Sequence, residues 1–204
     1  YMDETGLCPV FEAVQQAQQA LVSEERTKVY MPPQGDPDYL SGIRSLVFGE
    51  AGMADLGDRT SAVQTPGGCG AVRLGAEVLR AAAPDATVWV SDPTWPVHIP
   101  LMGSVGLQFK TYRYYSVEMK GLDFDAMLED LEAAQAGDVV LLHGCCHNPS
   151  GVDPTLEQWG VLADLMSERR LLPMIDFAYQ GMGAGLDEDA AGIRAVLERV
   201  SEMI

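Results

Sequence analysis

Residues 143 to 151 read HGCCHNPSG, which gathers two of the chain's three histidines, two of its four cysteines and its only asparagine. Four chemistries are open to such a stretch: metal ligation, a redox pair, a thiol nucleophile, or a shaped turn that aims one side chain. Cys145 and Cys146 are adjacent, not spaced as a CxxC pair. The histidine and cysteine spacing matches no common zinc pattern. Along an extended segment, neighbouring side chains point to opposite faces, which would scatter any ligand set. A nucleophilic thiol needs surroundings that stabilise its thiolate, and the sequence displays none.

The elements around this stretch place it. Apolar, β-branched runs alternate with amphipathic ones along most of the chain. SAVQT (61–65), ATVWVSD (86–92), LQFKTYRYY (107–115), DVVLLHG (138–144) and LLPMID (171–176) are expected strands. Helices are expected over 9–25, 39–48, 70–83, 96–103, 123–136, 153–169 and 188–204. That alternation implies an α/β fold with a mostly parallel sheet flanked by helices. In open α/β sheets, ligands bind outside the carboxyl ends of the strands. The unusual residues fall there: TPGGCG after the first strand, SDPTWPVH after the second, HGCCHNPSG after the fourth and DFAYQG after the fifth.

Each has a bland reading beside a functional one. TPGGCG leads into a helix whose N-terminal N–H groups could take a phosphate, or it is only a glycine-rich helix start. It matches neither GxGxxG nor GxxxxGK[ST]. Asp176 ends an apolar strand, where a carboxylate needs a partner, functional or structural. Trp95, His98 and Tyr179 could serve a site or simply pack in a core.

Bulk properties exclude several classes. The 204 residues carry a net charge of −17, which repels nucleic-acid backbones and anionic lipid. No apolar run approaches the roughly 20 residues that span a bilayer. Four irregularly spaced cysteines make no disulfide framework, and reduced thiols in a cytoplasmic protein are expected. The chain opens on Tyr1 rather than Met and closes on RVSEMI, so a segment of a longer protein is expected.

Six motifs together resemble the class I pyridoxal-phosphate aminotransferases of the aspartate/aromatic amino-acid branch. They are YMDETG, TKVYMPPQGDPDY, TPGGCGAVRLGAEVL, VWVSDPTWPVH, GDVVLLHGCCHNPSGVDPTLEQW and DFAYQGMGAGLDEDA, in the family's order over nearly the whole chain. The resemblance implies a fold-type I PLP-transferase large domain, incomplete here. Residues 1–8 would be a remnant of the small-domain segment, and 9–204 the first part of the large domain. It implies pyridoxal 5'-phosphate as cofactor, with Asp176 at the ring nitrogen and His98 behind Asp176. Trp95 would lie on the ring face, and Asn148 and Tyr179 would meet the phenolic oxygen. Gly68 and Cys69 would hold the phosphate, and Tyr30 would reach the phosphate of the neighbouring subunit in a homodimer. Cis bonds are implied before Pro93 and Pro149.

The chain departs from the family at three points. Cys69 stands where the family has Thr or Ser, and a thiol is the weaker donor. Ser150 stands for the usual Thr. The family's Schiff-base lysine lies beyond the Asp-Tyr motif, whereas Lys28, Lys110 and Lys120 all lie upstream of it. The implied function is therefore a segment of an enzyme that moves an amino group between an L-amino acid (aspartate/glutamate or aromatic) and a 2-oxo acid. The segment alone is expected to be inactive. The alternative is a truncated or degenerate relative that acts as a binding or dimerisation module.

Overall fold

The computed structural model describes residue 2 and residues 4–204. Tyr1 and Asp3, inside the expected 1–8 remnant, lie outside the described residues. The chain forms two compact units, 1–32 and 33–204. In the first, α1 (Glu12–Glu24) has the expected helical pattern, yet none of its residues is buried. Val10, Val14 and Leu21, three of its expected apolar face, are exposed.

The second unit is built on a sheet. Its strands are β1 (Thr87–Asp92), β2 (Gln108–Arg113), β5 (Val139–His143) and β6 (Leu172–Asp176). They lie in the order β2-β1-β5-β6 and every pair is parallel. A short antiparallel pair, β3 (Tyr115–Ser116) and β4 (Gly121–Leu122), stands apart. From β1 the chain steps outward to β2. It then returns to β5 on the other side of β1 and continues outward to β6. The reversal makes β1 and β5 the topological switch point, where a crevice opens at the carboxyl ends of the strands.

Strand alternation divides the core into two layers. Trp89, Val140 and Leu142 face α5 (Phe124–Leu131), α6 (Leu156–Arg169) and α7 (Leu186–Leu197). Val88, Val90, Val139 and Leu141 face α3 (Gly67–Ala82) and α4 (His98–Gly103). All five residues of β5 are buried, as expected of a strand covered on both faces. Local signals set the helix starts. Thr155 caps α6 in a capping box with Gln158, and Asp123 caps α5 through the Ala126 N–H.

Three expectations need correction. The run 61–65 joins no sheet; its Gln64 N–H bonds to the Gln34 carbonyl rather than to a strand ladder. The helix expected over 39–48 runs on as α2 (Pro37–Leu56), broken at Gly49 with φ 69° and ψ 174°. Arg194 satisfies the carbonyls freed there, donating to Val47 and Leu46 at 3.0 and 3.3 Å. The last helix ends at Leu197, not at the chain's last residue. Beyond it the backbone returns along β6: the Ile204 N–H donates to the Pro173 carbonyl, and the Ile175 N–H donates to the Ile204 carbonyl. That backbone pairing with β6 replaces a further helical turn. Among the described residues, no helix is long and apolar enough to cross a membrane.

One carboxylate fastens the amino ends of the central strands. Asp138 accepts from the Thr87 N–H, the Trp89 Nε1–H and the Gln135 N–H, each at 3.0 Å. Burial alone would raise its pKa, but these three donors hold it below the usual carboxylate range. Asp138→Ala is expected to cost about 2–3 kcal/mol, because the buried donors lose their acceptor. Urea unfolding at pH 7 measures it, and a loss under about 0.5 kcal/mol would contradict the account.

Candidate cofactor site

A cavity of about 230 Å³ opens at the carboxyl edge of the sheet, beside the switch point. It is lined by Gly68, Cys69, Trp95, His143, Cys145, Asn148, Asp176, Ala178 and Tyr179. Six of the residues singled out in the sequence therefore share one cavity. His98 lies directly behind Asp176. Tyr30 belongs to the 1–32 unit, where its side chain is fully exposed. His143, Cys145 and Ala178 also line the cavity but had been given no part in it.

Each lining residue is delivered by an element end. Asp176 is the last residue of β6 and Asn148 follows the end of β5. Trp95 follows β1, and Gly68 and Cys69 are in the first turn of α3. That helix has no side-chain N-cap bond; the Gly67 N–H donates to the Thr65 carbonyl at 2.8 Å, and Gly68 and Cys69 follow it in the first turn. Gly67 holds the turn with φ 75°, a conformation suited to glycine. The Asp92–Pro93 and Asn148–Pro149 bonds are both cis, as expected.

A hydrogen-bond relay ties these ends together. The Asn148 backbone N–H donates to His143 Nδ1 at 3.3 Å, so that nitrogen carries no proton. Burial, with smaller contributions from His147 and His98, pushes the His143 pKa down to about 3. The ring is neutral at pH 7, and its single proton sits on Nε2. Nε2–H therefore donates to Thr94 Oγ1 at 3.2 Å. The Thr94 hydroxyl meets His98 Nδ1 at 2.9 Å. His98 Nε2–H then donates to Asp176 Oδ2 at 2.9 Å. The relay ends on the carboxylate with a donor pointed at it. Thr94 left no mark in the sequence, because a lone threonine in a loop carries no periodic signal.

His147 stacks on Tyr114 with ring centroids 4.0 Å apart and lies 4.1 Å from the His143 ring. Its two nitrogens meet Ser91 Oγ at 2.9 Å and Ser150 Oγ at 2.8 Å. Both nitrogens of His143 and of His147 are thus occupied within the protein. Among the described residues, no group of three His, Cys, Asp or Glu side chains is placed to hold a metal ion. Burial pushes the Cys145 thiol up, and Cys146 and Asp189 push it further, which disfavours a thiolate nucleophile. On the open side of the cavity, Asn148 Nδ2 donates to Tyr179 Oη at 3.2 Å.

The cavity thus has a fixed carboxylate, a helix N-terminus and an amide–phenol pair. A planar ring with a protonated nitrogen, an anionic oxygen and a phosphate has matching groups for all three. The residues present fit pyridoxal phosphate.

The sequence model of the family described as aminotransferase class I and II matches residues 1–204. The chain belongs to that family. It is 48% identical over 204 residues to an aspartate aminotransferase of Salmonella typhi, covering 100% of this chain and 52% of that protein. It is 45% identical to an aromatic-amino-acid aminotransferase of Paracoccus denitrificans, covering 100% of this chain and 51% of that one. A solved aromatic-amino-acid aminotransferase from Burkholderia pseudomallei, covalently bound to pyridoxal phosphate, superposes with a TM-score of 0.93 at 36% identity. That match covers 97% of this chain and 50% of the other. The chain spans about half the length of the curated relatives it matches.

The buried histidines set a pH dependence. His143 titrates near 3 and His147, lowered chiefly by burial, near 4, whereas an unfolded histidine titrates near 6.5. Between about pH 6.5 and 4 the unfolded chain takes up protons that the native chain refuses, so stability falls as pH falls. The slope approaches about 1.4 kcal/mol per pH unit for each histidine. Carboxylates with depressed pKa values act only below about pH 4. Urea midpoints are expected to drop steadily from pH 7 to 5 and to drop less steeply in His147→Gln. An identical slope in the two proteins would contradict the assignment.

Proposed function

We propose that this chain supplies the cofactor-holding part of a pyridoxal-phosphate-dependent aminotransferase. The reaction moves an amino group between an L-amino acid, aspartate/glutamate or aromatic, and a 2-oxo acid. The observation that carries the reading is the convergence of Gly68, Cys69, Trp95, Asn148, Asp176 and Tyr179 on one cavity whose carboxylate is held by His98. Family membership over the whole chain supports it.

Pyridoxal phosphate, when bound, supplies the electron sink that lets a proton leave the amino acid's α-carbon. The chain's own residues govern how well that sink is set. Asp176 holds the proton on the ring nitrogen by charge and hydrogen bond. His98 orients Asp176 and uses one of its lone pairs, which leaves the other oxygen to the ring. Trp95 covers one ring face and limits water there. Asn148 and Tyr179 place two hydrogen-bonding groups at the phenolic oxygen. Gly68 and Cys69 take the phosphate with backbone N–H groups of α3, where the helix dipole favours an anion. The thiol of Cys69 adds a weaker bond than a hydroxyl would. Tyr30 would reach the phosphate held by a second copy, in a homodimer acting in the cytoplasm.

Among the described residues, no lysine lines the cavity. Lys110 instead lies over the Trp89 ring, 5.1 Å from its centroid, and Lys120 sits in the turn before β4. The chain alone is thus proposed to hold cofactor without turning substrate over. Transamination is proposed for a protein of its relatives' length.

Quenching of tryptophan fluorescence by added pyridoxal phosphate tests the site. Asp176→Ala is expected to weaken binding about 10- to 100-fold, the worth of one charge-assisted bond. Unchanged affinity would place the cofactor elsewhere. The same chain, given pyridoxal phosphate, aspartate and 2-oxoglutarate, is expected to yield no oxaloacetate; measurable turnover would overturn that part of the proposal.

A further inference from the structure

Asp189 is a buried carboxylate that the proposed chemistry does not use. It sits in the first turns of α7, and its side chain reaches back over the helix N-terminus into the loop that follows β6. There it accepts three backbone hydrogen bonds. Oδ2 takes the Gly181 N–H at 2.8 Å and the Gly183 N–H at 3.0 Å, and Oδ1 takes the Ala184 N–H at 2.8 Å. Among the described residues, no Lys, Arg or His forms an ion pair with it. Burial would raise its pKa, but the backbone donors hold it below the usual carboxylate range, so the carboxylate and the loop fix each other.

What it serves lies between the donors it fixes. Gly181 and Gly183 flank Met182, and the Met182 N–H donates to the Tyr179 carbonyl at 3.0 Å. Asp189 therefore holds both neighbours of a peptide group that closes the turn on Tyr179. Gly181 adopts φ 88°, a left-handed conformation that the carboxylate helps to keep. At the far end of the same residue, Tyr179 Oη receives the Asn148 amide in the cavity.

We infer that Asp189 is a positioning residue: by gathering the 181–184 N–H groups it sets the turn that aims the Tyr179 phenol at the cofactor's phenolic oxygen. The inference rests on the proposed function, because it needs that oxygen as the target. A merely structural Asp189 would stabilise α7 through the helix dipole and leave ligand affinity alone.

The test is the affinity of the 204-residue chain for pyridoxamine 5'-phosphate, which carries the same ring, phenolic oxygen and phosphate and needs no lysine. Asp189→Asn keeps the shape and turns an amino group toward the loop donors. It is expected to weaken binding about fivefold, and less than twofold in a Tyr179→Phe background, because coupled residues are non-additive. Gly183→Ala keeps the charge but sets a Cβ 2.6 Å from Asp189 Oδ1, so the carboxylate must shift. It is expected to give the same pattern, and it carries the test if Asp189→Asn does not fold. Equal losses in both Tyr179 backgrounds, or no loss at all, would overturn the inference. The underlying reading fails differently: the unmodified chain would not bind pyridoxamine phosphate, or Asp176→Ala would bind it as well as the unmodified chain does.

Discussion

Asp176 closes an apolar strand, and the cavity is organised around keeping that carboxylate placed and paired. Its partner, His98, is fully buried and offers Nε2–H to the carboxylate. Thr94 meets His98 at Nδ1 and accepts from His143 Nε2–H. His143 is fixed in turn by a backbone N–H that has no freedom to reverse, that of Asn148. A peptide group after β5 is thus linked through His143, Thr94 and His98 to a carboxylate at the end of β6. The relay works because it is dry: burial keeps His143 neutral, and a neutral ring has one donor and one acceptor.

The fold makes this possible through the switch point. β1 and β5 are neighbours although β2 and its connections lie between them in sequence. Their carboxyl ends bring Thr94, Trp95 and His98 against His143 and Asn148, while β6 adds Asp176 beside His143 in register. The amino ends of β1 and β5 are clamped by Asp138. Two carboxylates therefore bound the central strands. One is saturated by protein donors at the amino end, and one at the carboxyl end accepts from His98 and faces the cavity. That asymmetry separates a stability role from the proposed binding role within one sheet.

Much of this was legible in the sequence because apolar runs announce strands, and strand ends announce where a site can be. DVVLLHG, ATVWVSD and LLPMID each became a strand, and the odd residues after them share one cavity. Gly68 and Cys69 reached it from a helix start, even though the run before them joins no sheet: residues 61–65 are apolar enough for a strand but pair with none. The relay was not legible. Thr94 touches histidines four and forty-nine positions away, and no periodicity encodes that meeting. Asp189 was hidden for the opposite reason, since an acidic residue near a helix start already has an ordinary explanation in the dipole. The end of the last helix is not legible either, because the pattern after Leu197 stays amphipathic while the backbone turns to pair with β6.

The account stands on the direction of the relay, and nitrogen-15 NMR of the histidine side chains at pH 7 reads it directly. The predicted result is a neutral His143 protonated at Nε2 and a His98 that carries a proton on Nε2, with Thr94→Val disturbing the two rings together. A His98 without a proton on Nε2, or a His143 carrying protons on both nitrogens, would contradict it.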